Sequence, residues 1–122
     1  MAGVNIGSIA IDSVNPKKLR DFYAGVTGWE PATFWGSPAL AFGGKLVVVF
    51  IPCDFDYIPP VWPEEPGQQQ KQMHFDFEVD DVPSAVQDAI ALGATKPESQ
   101  YGGEQWVTLL DPEGRPFCLC AK

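Results

Sequence analysis

The sequence contains little basic charge. Eight lysine and arginine side chains stand against sixteen acidic ones, giving a net charge of −8 at neutral pH. Proteins that bind nucleic acids need a basic surface for the phosphates, so DNA and RNA are excluded as partners. The acidic excess either only keeps the protein in solution or also attracts a cationic ligand, and composition leaves both interpretations open.

Cysteines and long apolar runs are also scarce. Cys53, Cys118 and Cys120 are too few, and odd in number, for a disulfide framework, which is typical of a reducing compartment. The longest apolar run, residues 46–51, has the length of a strand, whereas a membrane-spanning helix needs about 18 residues or more. No basic flank followed by an apolar signal core begins the sequence. We therefore expect a soluble, cytoplasmic protein with no membrane partner.

What the sequence does contain is one series of elements used twice. Asn15 caps a first helix that Gly28 ends, and Asp80 or Asp81 caps a second helix that Gly93 ends. Alternating apolar side chains, or in residues 45–51 a run of β-branched ones, bounded by turn residues predict the strands. These are residues 7–12, 29–35, 39–42 and 45–51 in the first half, and 74–79, 94–98, 105–110 and 116–120 in the second. Two fused copies of one module explain the repeat.

Proline is concentrated between the two copies. Five prolines fall within residues 52–70, where neither a helical nor a strand period is present, and this composition predicts a linker. Tyr57 and Trp62 are too apolar to leave in water, so we expect the segment to lie over an apolar opening. The expected organisation is a single domain, residues 1–122, with module one at about 4–56, the linker at about 57–71 and module two at about 72–121.

The only histidine stands at the head of a strand with two different faces. Phe75, Phe77 and Val79 form an apolar face, while His74 and the carboxylates of residues 76 and 78 form the opposite one. That polar face either meets water or lines a pocket. The choice between the two is most of the functional question.

Several segments together carry a family resemblance. They are residues 12–23 with Phe22-Tyr23, the Gly28-Trp29 helix end, residues 74–81, Leu92-Gly93-Ala94, and residues 111–114 with the sequence Asp-Pro-Glu-Gly. In these the chain resembles the vicinal oxygen chelate superfamily, which includes glyoxalase I, extradiol dioxygenases, thiol-transferring fosfomycin resistance enzymes and bleomycin-binding resistance proteins. The resemblance implies an α+β fold with two tandem βαβββ modules, whose curled mixed sheet surrounds a cup with the helices outside. It also implies a homodimer.

The resemblance further implies where a metal would be held in the enzymes. Its four positions fall here on Ser8, His74, a residue near Val48, and Cys118. Catalytic first-row metals prefer His and carboxylate ligands, so one imidazole, one thiol, a hydroxyl and a valine make a poor set. We therefore expect no metal and no cofactor. The alternative is a mixed nitrogen, sulfur and oxygen site in which Asp76 or Glu78 joins His74 and Cys118.

Aromatic residues outside the predicted core indicate a ligand pocket. Stiff rings in a concave site stack on planar ligands and attract cations, although such rings also fill space between modules or form dimer contacts. The turn at residues 111–115 places residue 108 opposite 118, and residue 106 opposite 120, in the last hairpin. The predicted ligand-binding residues are Trp35, Phe42, Phe50, Tyr57, Trp62, His74, Asp76, Tyr101, Trp106, Thr108 and Cys118.

These observations favour binding over catalysis. The sequence predicts a protein of the glyoxalase and bleomycin-resistance type that sequesters an aromatic small molecule, such as an antibiotic or metabolite, and its net charge suits a cationic one. The alternative is a divalent-metal-dependent lyase or dioxygenase of the same superfamily. His74 as a general base beside Asp76 is a further enzymatic hypothesis. A third class is an interaction module with no cavity.

Overall fold

The computed structural model describes residues 2–53 and 55–122, which form two compact units, one up to Tyr57 and one from Ile58 to Lys122. The elements of the first unit are β1 (Ile9–Ser13), α1 (Pro16–Thr27), β2 (Glu30–Phe34), β3 (Ser37–Phe42) and β4 (Lys45–Pro52). Those of the second are β5 (Asp76–Val79), α2 (Val82–Leu92), β6 (Trp106–Leu110) and β7 (Pro116–Ala121). The predicted α+β class is confirmed.

The first unit is a four-stranded sheet with one helix. Its strand order is β1-β4-β3-β2, with β1 and β4 parallel and the other pairs antiparallel. The Asn15 side chain accepts a hydrogen bond from the backbone N–H of Lys18 at 3.2 Å, and Gly28 ends α1 with a positive φ of 73°. The buried face of α1 contributes Leu19, Phe22 and Tyr23 to the core.

The second unit repeats this plan with a shorter sheet, ordered β5-β7-β6. Strands β5 and β7 are parallel, and β6 and β7 form the predicted hairpin. Thr108 lies opposite Cys118 and Trp106 opposite Cys120, so the predicted register is confirmed. Asp81 caps α2 by accepting a hydrogen bond from the backbone of Ser84 at 3.3 Å.

The strand predicted at residues 94–98 is reduced to one bridge between Thr95 and Leu110. Pro97 has no backbone N–H and cannot continue the ladder. Further along, the Gln100 side chain takes the place of a strand, because its amide donates to the Thr108 carbonyl at 2.8 Å and its oxygen accepts from the Thr108 N–H at 2.9 Å. The second sheet therefore has three strands where four were predicted.

Strand β5 begins at Asp76, two residues later than predicted. His74 and Phe75 precede it, but the Phe75 carbonyl still accepts a hydrogen bond from the backbone of Cys118 at 2.8 Å. The chain therefore already lies beside β7 at Phe75, one residue before the regular ladder starts.

The part of the proline-rich segment that follows Tyr57 folds back on itself within the second unit. Its backbone closes between the N–H of Val61 and the carbonyl of Gln69 at 2.9 Å, and the indole of Trp62 donates to the carbonyl of Ser99 at 2.9 Å. These bonds hold residues 61–69 against the segment that precedes β6. Across residues 2–53 and 55–122, neither helix is long and apolar enough to cross a membrane.

Candidate functional site

A cavity of about 310 Å³ opens within the second unit. This volume falls at the lower end of the range for small-molecule pockets. Strands β5, β6 and β7 form one part of its wall, and the segments before β5 and β6 form the rest. The lining residues are Trp62, Glu64, Lys71, His74, Asp76, Tyr101, Trp106, Thr108, Pro116, Cys118 and Cys120.

The β6–β7 hairpin supplies one hydroxyl and two thiols to the cavity. The hydroxyl of Thr108 lies 3.3 Å from the sulfur of Cys118, its cross-strand partner. Alternation along β7 places Cys120 on the same face as Cys118, beside Trp106 of β6. Thr108 and Cys118 are both buried, so their mutual hydrogen bond satisfies two polar groups that are largely shielded from water.

The histidine pairs with a neighbouring carboxylate. The Nε2 atom of His74 lies 3.1 Å from a carboxylate oxygen of Asp76, and the His74 side chain is 33% exposed. Asp76 is aligned with Cys118 across the parallel pair of strands. The cavity thus brings an imidazole, a carboxylate and a thiol into one small region, and both His74 and Cys118 occupy positions named from the sequence.

Rings and an ion pair form the opposite part of the wall. The rings of Trp62 and Tyr101 meet edge to face with centroids 5.8 Å apart. The ammonium group of Lys71 lies 5.7 Å from the centroid of the Trp62 ring and pairs with the carboxylate of Glu64. Four lining residues were absent from the predicted set, namely Glu64, Lys71, Pro116 and Cys120. Sequence reasoning missed Glu64 and Lys71 because charged residues in a proline-rich linker are usually solvated and no periodic pattern singles them out.

Burial dominates the acidity of the two cavity thiols. It raises the pKa of Cys118, the nearby charge of Asp76 raises it further, and the hydrogen bond with Thr108 and the charge of Lys71 oppose the rise. Burial also raises the pKa of Cys120, again with help from Asp76. Both groups are therefore thiols at neutral pH, which disfavours a role as nucleophiles.

Seven of the eleven predicted ligand-binding residues line this cavity, namely Trp62, His74, Asp76, Tyr101, Trp106, Thr108 and Cys118. The other four lie in the first unit. There Trp35 is 90% exposed in the turn between β2 and β3, and Phe42 is exposed at the end of β3, with its ring centroid 6.3 Å from that of Trp29. Tyr57 is half-buried at the end of the unit.

Phe50 does not have the surroundings of a ligand contact. Its side chain is fully buried, and its ring stacks with that of Tyr23 on α1 at a centroid distance of 6.2 Å. The residue therefore belongs to the core of the first unit. The prediction placed it on the wrong face, because a strand of six consecutive apolar residues gives no alternation from which to choose a side.

The metal position that the sequence placed near Val48 corresponds in the structure to the next residue, Val49. Val48 shares a strand face with Phe50 and so faces α1. If Ser8 corresponds to His74, then Ala10 corresponds to Asp76, and the residue aligned with Ala10 is Val49, as Cys118 is aligned with Asp76. The one-residue difference arises because the two hairpin turns differ in length: residues 43–44 separate β3 from β4, whereas residues 111–115 separate β6 from β7.

The chain fits the metal set implied by the superfamily poorly. Ser8 is a hydroxyl and Val49 has no donor, so half of the four positions contribute nothing that a first-row metal prefers. One group with mixed donors remains in the described residues. Ligand atoms of His74, Asp76 and Cys118 lie within 4.8 Å of one another. A metal there would have to displace the proton of Cys118, whose pKa is raised by burial, close to the positive charge of Lys71.

Comparison with known proteins agrees with this architecture. An enzyme of the glyoxalase/bleomycin resistance protein/dioxygenase family from Burkholderia phytofirmans PsJN shares the fold at 20% identity, with 94% of this chain and 96% of that chain covered and a TM-score of 0.67. The antibiotic binding protein TnmS3 from Streptomyces sp. CB03234 gives 16% identity, coverage of 99% and 98%, and a TM-score of 0.60.

A glyoxalase/bleomycin resistance protein from Albidiferax ferrireducens gives 12% identity, coverage of 96% and 98%, and a TM-score of 0.65. None of the curated proteins matches the chain. The family model for the glyoxalase-like domain matches residues 8–120, nearly the whole sequence. The resemblance to the vicinal oxygen chelate superfamily is confirmed, and the chain belongs to the glyoxalase-like domain family.

Proposed function

We propose that the protein binds an aromatic small molecule reversibly in the cavity of the second unit and sequesters it without a metal. The observation that carries this proposal is the combination of three rings, those of Trp62, Tyr101 and Trp106, around about 310 Å³ of space with polar groups at the strands. Rings supply stacking area, and a few polar groups fix the orientation of a ligand. One fold neighbour, TnmS3, is described as an antibiotic binding protein.

Sequestration requires fewer chemical groups at the site than catalysis does. It needs only a tight reversible complex, whereas a lyase or dioxygenase of this superfamily needs an electrophilic metal with open positions. Neutral thiols at Cys118 and Cys120 suit a binding wall. A homodimer and a cytoplasmic location remain parts of the proposal, the first supported by the family resemblance and the second by the small, odd number of cysteines.

Tryptophan fluorescence tests the proposal directly. Trp62 and Trp106 line the cavity, while Trp29 and Trp35 lie in the first unit. A titration with planar antibiotics and simpler two-ring compounds should quench the emission in a saturable way. Trp106→Phe should reduce the quenching amplitude and the affinity, and Trp35→Phe should preserve the affinity. If no compound gives saturable quenching or calorimetric heat, the proposal is wrong.

The second candidate is a divalent-metal-dependent lyase or dioxygenase, favoured by the convergence of His74, Asp76 and Cys118. Elemental analysis of protein purified without chelators separates the two candidates. The binding proposal predicts well under one metal ion per chain and no change on His74→Ala. Near-stoichiometric zinc, nickel, manganese or iron that is lost on His74→Ala would establish the enzyme candidate instead.

A further inference from the structure

Lys71 occupies an unusual place for a lysine in a linker. Its side chain is only 19% exposed, although it lies in a segment without helix or strand. The ammonium group lies 5.7 Å from the centre of the Trp62 ring, within the range of a cation–π contact, and it also pairs with Glu64. All three residues line the cavity. Lys71 therefore places its positive charge in the ligand space.

An aromatic face next to a carboxylate is a complete recognition site for an organic cation. The ring attracts positive charge through its quadrupole, and the carboxylate neutralises it. In this protein both partners are present, and a side chain of the same chain fills the place. We infer that Trp62 and Glu64 form a cation subsite of the cavity, which the ammonium group of Lys71 occupies in the free protein. A planar ligand that carries an organic cation displaces Lys71 from this subsite.

The inference rests on the proposed function and names the class of ligand. Displacement is favourable because the two competing cations differ in hydration. A lysine ammonium is compact and strongly hydrated, so it regains water when its flexible side chain swings outward. An aromatic cation has spread charge and apolar area, so burying it against Trp62 costs less desolvation. Glu64 is 49% exposed, so its pair with Lys71 is screened by solvent and exchangeable.

The rest of the cavity supports a cation. Asp76 adds a second carboxylate, and His74 is the other basic group of the lining. With Lys71 in place, the charges of Glu64 and Lys71 cancel. With Lys71 displaced, Glu64 and Asp76 both face a ligand, and the cavity favours positive charge. A ligand must therefore bind Trp62 and Glu64 more favourably than Lys71 does before it can occupy the subsite.

Calorimetry with three two-ring probes tests the subsite. The probes are 1-methylquinolinium as the cation, quinoline at pH 8 as its neutral counterpart, and naphthalene-1-carboxylate as the anion. We expect Lys71→Gln to tighten binding of the cation by about fivefold and to change binding of quinoline by less than about twofold. Binding of the anion should weaken. Glu64→Gln should weaken binding of the cation, because the carboxylate then no longer neutralises it.

Two controls separate a local subsite from a general effect of charge. Lys17→Gln removes the same charge from an exposed pair with Asp21 on α1, and it should leave all three affinities unchanged. The double variant Lys71→Gln/Glu64→Gln should lose the gain for the cation. Far-ultraviolet circular dichroism and thermal melting of each variant verify the fold.

The failures are distinguishable. If quinoline binds but Lys71→Gln leaves the affinity for 1-methylquinolinium unchanged or lower, the subsite is wrong and the proposed function stands. A gain that persists in the double variant also overturns the assignment to Glu64. If none of the probes or antibiotics binds to the parent protein or to Lys71→Gln, both the subsite and the proposed function are wrong.

Discussion

Asp76 lies 3.1 Å from the imidazole of His74 and, across the parallel strands, is aligned with Cys118. One carboxylate thereby influences both neighbours, since it offers a hydrogen-bond acceptor to the histidine and opposes ionisation of the thiol. The same residue belongs to the group that would hold a metal and to the wall of the cavity. Substitution of Asp76 therefore tests how these groups are coupled.

Asp76→Asn should make Cys118 more reactive. Removing the carboxylate charge lowers the raised pKa of Cys118 and so increases its thiolate fraction at a given pH. In a Cys53→Ser/Cys120→Ser background, the rate of alkylation by iodoacetamide near pH 8 should rise several-fold. Asp88→Asn on the exposed side of α2 removes the same charge and should leave the rate unchanged. An equal or slower rate in Asp76→Asn would contradict the electrostatic account.

The protein should lose stability at alkaline pH because the pKa of Cys118 is raised in the folded state. Burial raises the pKa of Cys118 above that of an unfolded chain, so the folded state favours the thiol form. Its contribution is full below the unfolded pKa and is lost as the pH rises through the folded pKa. Urea unfolding between neutral pH and about pH 10 should show a smaller alkaline loss in Cys118→Ala than in the parent protein. Parallel losses in both proteins would assign the effect to other groups.

Gly102 should be needed to place Trp106. A Cβ added at this buried glycine would lie 2.6 Å from Cγ of the Trp106 ring and would also collide with the backbone carbonyl of that residue. Gly102→Ala should therefore destabilise the protein by about 1–3 kcal/mol. It should also shift the tryptophan emission. Gly7→Ala, where an added Cβ meets nothing within 4 Å, is the matched control. Parent-like melting and emission of Gly102→Ala would refute this packing.

The side chain of Gln100 should stabilise β6 by forming the two backbone hydrogen bonds that a neighbouring strand would otherwise form. Its side chain bonds both the N–H and the carbonyl of Thr108, so Gln100→Ala leaves two backbone groups of β6 without these partners. We expect a loss of about 1–3 kcal/mol in the free energy of unfolding and faster amide exchange at Thr108. Gln87→Ala on the exposed face of α2 should be nearly neutral. Unchanged exchange at Thr108 in Gln100→Ala would show that these bonds are dispensable.

Substitutions at Phe50 and Trp35 should differ strongly in their effect on stability, because Phe50 lies in the core of the first unit and Trp35 lies on its surface. Phe50 is fully buried against Tyr23, whereas Trp35 is 90% exposed. Phe50→Ala should cost about 3–5 kcal/mol in the free energy of unfolding, and Trp35→Ala should change it by about 0.5 kcal/mol or less. Chemical denaturation measures both. A small effect of Phe50→Ala would contradict its assignment to the core.

Local signals in the sequence predicted the helices and the last hairpin well. Asn15 with Pro16, and Asp81 with Gly93, mark helix ends through hydrogen bonds and backbone angles that involve only near neighbours. The register of β6 on β7 also follows from a short turn. The family and its α+β fold were recognised from the resemblance of several sequence segments to the vicinal oxygen chelate superfamily, and the family model confirms it.

Other features depend on contacts between residues far apart in the sequence. The side on which Phe50 is buried was undecided in a run of apolar residues, and the strand expected at residues 94–98 was replaced largely by the side chain of Gln100. The ion pair of Glu64 with Lys71 and the contact of Lys71 with Trp62 have no periodic signature.

The amino-acid sequence was enough to identify the helix caps and the residue types available for chemistry, because those depend on local backbone preferences and on composition, and its family resemblance identified the fold. The folded chain, by contrast, shows which side chains share the cavity. It brought His74, Asp76 and Cys118 together, and it placed Lys71 over Trp62. The physical reason is that a cavity wall is formed by packing between distant segments, where the position of each group is fixed by burial and pairing rather than by its neighbours in the chain.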